Sequence, residues 1–349
     1  MPAAPNINKS IAHQTVLVAP LDWGLGHTTR CIPIIRALLE QHNKVLLAAE
    51  GNSAMLLQQE FPDLTILPLK GYRIQYAATR RGFFWKMLYQ IPSMMRTIRQ
   101  EKKWLQQTMQ SQDIDWVISD NRFGLTHPSL KSVFITHQLA IQTGWKILDR
   151  IVQHFNYYFI NQFTECWVPD HAGEDNLAGN LSHPVSMPAI PVKYLGPVSR
   201  LEPAAVDACQ GLICMVSGPE PQRTIFEQLL VQKLHHFSEP AILVRGLPVN
   251  AAPIESLPPT VVQYNHVSAK ELNQLLLRSK WVIARAGYST IMDLCALQKK
   301  AIVIPTPGQT EQEYLAAYLH DAQRFYSVSQ NEFQMTTDLK ALLAFEKGY

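Results

Sequence analysis

The 349-residue chain has five cysteines, little charge for its length and no apolar run near the roughly 20 residues that a bilayer-spanning helix needs. Each shortage removes a class of protein. Cys31, Cys166, Cys209, Cys214 and Cys295 are scattered, odd in number and form no C-x-x-C pair. A disulfide scaffold is therefore a poor fit, and free, mostly buried thiols in a reducing compartment are expected. The histidines lack metal-ligand spacing; His235 and His236 read as a solvated helix end, and no metal site is expected. The apolar run Thr15–Pro20 is far too short for a signal-peptide core and has no basic flank or small-residue cleavage site, so a cytoplasmic location is expected. A net charge of only +3 argues against nucleic acid as a partner. What is plentiful is apolar surface: 47% of residues are hydrophobic, enough for globular folding, and the length suits two domains better than one core.

The charge is unevenly spread. From Lys70 to Lys103 there are nine Lys or Arg and a single acid, Glu101. The same segment carries Phe83, Phe84, Trp85, Met87, Leu88, Ile91, Met94, Met95 and Ile98 at helical spacing, with Pro92 expected to start a second helical turn. The plainer reading, a core-facing helix with a solvated basic face, leads. The sharper one is a peripheral contact with anionic lipid at the inner face of a membrane, presenting a lipid-linked acceptor.

Short apolar runs alternate with amphipathic stretches along both halves. Strands are expected at Thr15–Ala19, Lys44–Ala49, Leu64–Leu67, Trp116–Ser119, Ser132–Thr136 and Cys166–Val168, with helices at Cys31–Leu39, Ala54–Phe61, Phe84–Met109 and Trp145–Phe163. After a Pro-rich stretch the pattern resumes with strands at Leu212–Val216, Ala241–Val244, Val261–Tyr264, Trp281–Ala284 and Ala301–Ile304. Helices are expected there at Pro221–Leu234, Lys270–Arg278, Thr290–Ala296 and Gln312–His320. Such alternation implies an α/β fold of two parallel-sheet domains, 1–198 and 199–349, with ligands at the carboxyl ends of the strands and a cleft between the domains.

Two loops carry chemistry. The first strand runs into Asp22-Trp23-Gly24-Leu25-Gly26-His27-Thr28-Thr29-Arg30 and then a helix. Gly24 and Gly26 permit close backbone approach, and a helix N-terminus offers N–H groups to a phosphate. Thr29 stands where a dinucleotide fingerprint has its third small residue, which weakens a nicotinamide reading, although Glu50 could imitate its ribose-binding acid. His27 at the turn's exit can take a proton near neutral pH, and Asp120, ending another strand, could hold its second nitrogen. Equally, His27 could cap its own helix and Asp120 a turn.

The second loop is Arg285-Ala286-Gly287-Tyr288-Ser289-Thr290-Ile291-Met292-Asp293. Gly287 permits the turn, and Ser289 and Thr290 can cap a helix while facing phosphate oxygens. Asp293 could accept two ribose hydroxyls or complete a capping box. Then comes Pro305-Thr306-Pro307-Gly308-Gln309-Thr310-Glu311-Gln312-Glu313, whose amides and carboxylates suit sugar hydroxyls or merely an acidic helix start.

These segments, with Ala296-Leu297 between them, resemble the C-terminal signature of glycosyltransferase family 28. The resemblance reaches the lipid-linked N-acetylglucosaminyl transferase of peptidoglycan synthesis and, more loosely, the UDP-glycosyltransferases. Gly24-Leu25-Gly26-His27 is similar to the glycine-rich loop and histidine of the same group, about 260 residues upstream and in the right order. Motif-level similarity covers about 50 residues.

The resemblance implies a GT-B fold, inverting and metal-independent transfer, no cofactor, and a nucleotide-sugar donor, UDP-linked by preference, with a hydroxyl acceptor. It implies that Arg285, Gly287, Ser289 and Thr290 face the diphosphate, and that Asp293, in place of the family's usual Glu, holds the ribose. Gln309, Gln312 and Glu313 would lie at the donor sugar, Glu313 leaving its identity open. His266 and Val267 would meet the base edge. Ser217-Gly218 resembles a Gly-Gly-Ser loop, from which Val216 and Pro219 depart. His27 with Asp120 resembles the base pair of plant-type UDP-glycosyltransferases. Two other functions stay open, a nucleotide-sugar epimerase and a non-catalytic nucleotide-sugar-binding protein.

Overall fold

The computed structural model describes residues 7, 11–22, 24–72, 80–142, 146–206 and 210–345. The side chains at 73–90, Trp145 and Cys209 lie outside the described residues, and with them the aromatic part of the basic segment. The chain divides into two compact units, with the change at Arg200–Leu201.

In the first unit, the described residues form a parallel sheet of β1 (Thr15–Pro20), β2 (Lys44–Ala49), β3 (Thr65–Pro68), β4 (Trp116–Asp120), β5 (Lys131–Ile135), β6 (Glu165–Val168) and β7 (Val192–Tyr194). Their order is β3-β2-β1-β4-β5-β6-β7. The crossover helices are α1 (Leu25–Glu40), α2 (Gly51–Glu60), α3 (Arg80–Thr108) and α4 (Lys146–Ile160). The central strands are buried along nearly their whole length, as a parallel sheet covered on both faces requires. Leu17, Ala19, Leu46, Ala48 and Val117 pack under Leu105 of α3. By strand alternation, Val18, Ile118 and Asp120 belong to the other face, where α1 lies.

Two details differ from the sequence-based expectation. Helix α1 starts at Leu25, six residues earlier than expected, because Gly24 at φ 84° turns the chain directly from the strand exit into the helix. Helix α3 runs through Pro92 instead of restarting there; packing of Ile98 and Leu105 carries it past the lost hydrogen bond. Glu101, the segment's lone acid, is buried: it accepts from Arg122 Nε at 2.8 Å, Tyr72 OH at 2.8 Å and Gly124 N at 2.9 Å. Arg96, Arg99, Lys102 and Lys103 are exposed, so the described half of the segment is the core-facing helix with a basic outer face.

The second unit repeats the plan with β8 (Leu212–Met215), α5 (Gln222–Leu234), β9 (Ala241–Val244), β10 (Val261–Tyr264), α6 (Ala269–Arg278) and β11 (Trp281–Arg285). It continues with α7 (Tyr288–Ala296), β12 (Ala301–Ile304), α8 (Thr310–Asp321), β13 (Tyr326–Ser327) and α9 (Met335–Ala344). The described strands are again parallel, in the order β10-β9-β8-β11-β12-β13. One core cluster joins Phe226, Leu230 and Leu234 of α5 and Leu339 of α9 to Leu212, Leu243, Ile283 and Ile302 of the sheet. Strand order reverses beside β1 in the first unit and beside β8 in the second. These switch points open a crevice at the carboxyl ends of the flanking strands, where open α/β sheets take ligands.

Candidate active site

Register builds the first half of the site. Pairing of β1 with β4 sets Pro20 opposite Asp120, so the turn leaving β1 and the end of β4 share one sheet edge. Gly24 is the N-cap of α1, which has no side-chain cap, and Gly26 and His27 stand in its first turn. His27 therefore does not cap its helix, and its Nδ1 lies 2.9 Å from Asp120 Oδ1. A cavity of about 420 Å³ adjoins the same helix start, lined by Asp22, Gly24, Leu25, Glu50, Gly51, Asn52 and Ser53. Glu50 Oε1 accepts from Gly71 N at 2.7 Å, which ties the β3 exit loop to this wall.

Arg30, one turn beyond His27, was not singled out by the motifs. Its Nε is 2.5 Å from Asp120 Oδ2 and its Nη2 donates to Asp120 Oδ1, so the guanidinium forks the carboxylate. Nη2 is also 2.7 Å from His27 Nδ1, and Nη1 is 3.2 Å from His137 Nδ1 in the loop after β5. Asp120 is wholly buried and the His27 side chain is 16% exposed. Burial works to raise the Asp120 pKa, but the Arg30 charge and then His27 outweigh it and hold the carboxyl well below the usual carboxylate range. Burial and then the Arg30 charge push His27 below the usual imidazole value, against the pull of Asp120. The imidazole is thus neutral at pH 7, with an ionised carboxylate beside one ring nitrogen. Such a ring can accept a proton at its other nitrogen when Nδ1–H donates to Asp120.

The second unit gathers the remaining candidates at its own carboxyl edge. Ser217 and Gly218 follow β8, with Gly218 at φ 109°. His266 and Val267 follow β10 and precede Ser268, which caps α6 in a capping box with Glu271. Gly287 is the N-cap of α7 and makes no side-chain cap bond, so Ser289 and Thr290 fall in the first turn of the helix and do not cap it. Asp293 lies a turn further on, outside any capping box. Gln309 is the N-cap of α8. Gln312 Oε1 accepts from Thr306 N at 2.9 Å and Glu313 Oε1 from Gly308 N at 2.8 Å, so one oxygen of each holds the β12 exit loop in shape.

Arg285 departs from expectation. It is the last residue of β11 and points to the Ile283 face, where its guanidinium stacks 3.9 Å from the Phe226 ring centroid. It is 1% exposed, and Nη1 and Nη2 donate to Pro305 O at 3.2 Å and Gln330 Oε1 at 2.7 Å. Desolvation brings its pKa down to about 10. Strand alternation decides this orientation, so the Arg285 side chain lies in the sheet-helix layer and braces the loops that follow β12 and β13.

A chain of ions that the sequence did not reveal braces the other loops. Glu227 of α5 takes Arg223 Nη1 at 3.2 Å and Arg245 Nε at 2.7 Å. Arg245 Nη1 in turn donates to Asn265 Oδ1 at 2.8 Å, linking the exits of β9 and β10. Among the described residues, no group of three or more His, Cys, Asp or Glu is arranged to hold a metal ion.

Comparison with known proteins bears on both units. The model of the glycosyltransferase family 28 C-terminal domain matches residues 256–346. No curated protein sequence matches the chain. Among solved structures, the glycosyltransferase of kitacinnamycin superposes with a TM-score of 0.67 at 13% identity, covering 95% of this chain and 90% of that one. The spinosyn rhamnosyltransferase SpnG complexed with thymidine diphosphate gives 0.61 at 15% identity, covering 95% and 92%. Acinetobacter baumannii MurG gives 0.55 at 12% identity, covering 95% and 90%. At such identities these likenesses establish the fold, two parallel-sheet units of the GT-B type.

Proposed function

We propose that this chain, which has the GT-B fold and carries a glycosyltransferase family 28 C-terminal domain at 256–346, moves a sugar from a nucleotide-diphosphate sugar, UDP-linked by preference, to an acceptor hydroxyl by a single inverting displacement without a metal ion. The observation that carries the reading is the His27 ring set 2.9 Å from the buried Asp120 carboxylate in a chain whose other unit carries a glycosyltransferase family 28 C-terminal domain. His27 takes the acceptor's proton and Asp120 stabilises the imidazolium that results. The cavity between the starts of α1 and α2, with Asp22 and Glu50 in its wall, suits an acceptor rich in hydroxyls. In the second unit, the N-terminus of α7, with the Ser289 and Thr290 hydroxyls, would meet the diphosphate, and Asp293 the ribose.

A thermal-shift panel of nucleoside diphosphates tests the donor. A ligand at 100 times its Kd stabilises by about 2.7 kcal/mol, and UDP is expected to give the largest upward shift. A larger response to thymidine diphosphate would move the donor to that base. Silence across uridine, guanosine and thymidine nucleotides would count against the transferase reading.

Membrane contact is part of the same proposal. No helix among the described residues is long and apolar enough to cross a membrane. On α4, Ile151, Phe155 and Tyr158 form an exposed stripe, at 49%, 60% and 61%. Phe159 of the same helix joins Met94 and Met95 of α3 in a cluster, which sets the stripe near the exposed Arg96, Arg99 and Lys102. Apolar side chains beside cations suit an anionic bilayer surface. The protein should co-sediment with phosphatidylserine vesicles at low salt and be released at high salt. Failure to bind anionic vesicles at low salt would leave α3 as a solvated helix only.

A further inference from the structure

Arg30 carries more of this site than a brace would. A guanidinium needed only to neutralise Asp120 would stop at the fork. Here the Nη2 that donates to Oδ1 also lies 2.7 Å from the ring nitrogen that the carboxylate approaches from 2.9 Å; with Nδ1–H given to Asp120, the guanidinium acts on the ring through its charge and not as a hydrogen-bond donor to it. The groups facing His27 are then Arg30 from its own helix, Asp120 from β4 and His137 from the loop beyond β5. Cys31 reaches only the far oxygen of Asp120, at 3.6 Å, and burial holds its thiol protonated. Arg30 and Asp120 cancel, so the largely buried ring has no net anion beside it. Without Arg30, a lone buried carboxylate would remain 2.9 Å from the imidazole, and an unshared opposite charge that close favours the imidazolium. A histidine already protonated accepts nothing from an acceptor hydroxyl.

We propose that Arg30 is a positioning residue that keeps His27 available as a base, by occupying both oxygens of Asp120 and denying the imidazole an unshared anion. The arrangement lessens the pull of the carboxylate on the imidazole, so that the pair becomes an ion pair when a proton arrives from the substrate. The proposal rests on His27 being the base, yet its readout does not depend on transfer.

The test is the titration of the His27 ring in the full chain, labelled with ¹⁵N,¹³C-histidine and assigned by the signal lost in His27→Gln. In the wild type, the midpoint should lie below the ordinary imidazole value of about 6.5. In Arg30→Gln it should rise by about one pH unit or more, and in Arg30→Lys, which keeps the charge, most of that rise should be absent. An unchanged midpoint in folded Arg30→Gln would overturn the proposal. So would a wild-type midpoint at or above 6.5, a measurement that needs no Arg30 variant to fold. Wild-type turnover in a His27 variant would instead remove the base reading and leave the titration to stand by itself.

Discussion

Replacing His27 with alanine is expected to lower sugar transfer by roughly 10²–10⁴-fold, the usual contribution of a placed general base, while nucleotide affinity stays where it was. The separation follows from position. His27 stands in the first turn of α1, whereas all the candidates for gripping the nucleotide other than Gly24 and Gly26, whose backbone the substitution leaves in place, lie in the second unit. The ring's polar contacts are with Asp120 and Arg30, and its side chain keeps 16% exposure. The measurement is initial velocity against acceptor concentration, beside the Kd for the nucleoside diphosphate from calorimetry. Near-wild-type turnover with an intact Kd would remove His27 from the reaction. Equal loss of both would point to a damaged fold.

Asp120→Asn should do two things at once. Asparagine keeps the shape but removes the charge, leaving Arg30, 2% exposed, without its carboxylate. Stranding one partner of a buried pair costs about 3–5 kcal/mol, which urea denaturation followed by tryptophan fluorescence would register as an earlier midpoint. Turnover should fall about as far as for His27→Ala, because the imidazolium loses its counter-ion. The sign with pH follows from the depressed pKa of Asp120. Its stabilisation is complete above its unfolded value of about 3.9 and is lost as pH falls through the lower folded value. His27 acts in the same direction: held neutral in the fold, it adds to stability above its unfolded value of about 6.5 and gives it up on acidification. In the variant the Asp120 contribution is gone, so its acid sensitivity should be shallower. A stable, fully active Asp120→Asn protein would contradict both the ion pair and the dyad.

The repeating strand-helix pattern was readable because buried parallel strands need unbroken apolar runs, such as Val16–Ala19 and Ile283–Ala284, between amphipathic helices. What stayed hidden had weak local signals. Strand β7 is three residues in a Pro-rich stretch, and β13 is two; each is extended only because it adds to an existing edge. Arg30 was missed for a geometric reason. With the helix expected to begin at Cys31, His27 and Arg30 fall in a loop and their spacing of three means nothing. With α1 begun at Leu25 the same spacing puts both on one face, above Asp120. Arg285 was misplaced by one residue of strand: extending β11 to include it sends its side chain into the sheet-helix layer instead of toward the crevice.

The tail of β4 is knotted twice, and the knots have opposite polarity. At Asp120 the carboxylate is on the strand and the guanidinium on α1. At Arg122 the guanidinium is on the strand's exit and the carboxylate, Glu101, is on α3. One residue separates them, Asn121, in the left-handed region at φ 54°. Two helices from opposite faces of the sheet thus grip adjacent links of one short tail. Inserting or deleting a single residue there would pull at least one of the two charges out of register and leave its buried partner stranded. For the same reason, His27 keeps its seat beside Asp120 while the layer beneath survives: on heating, loss of any activity that depends on it would coincide with melting and not run ahead of it.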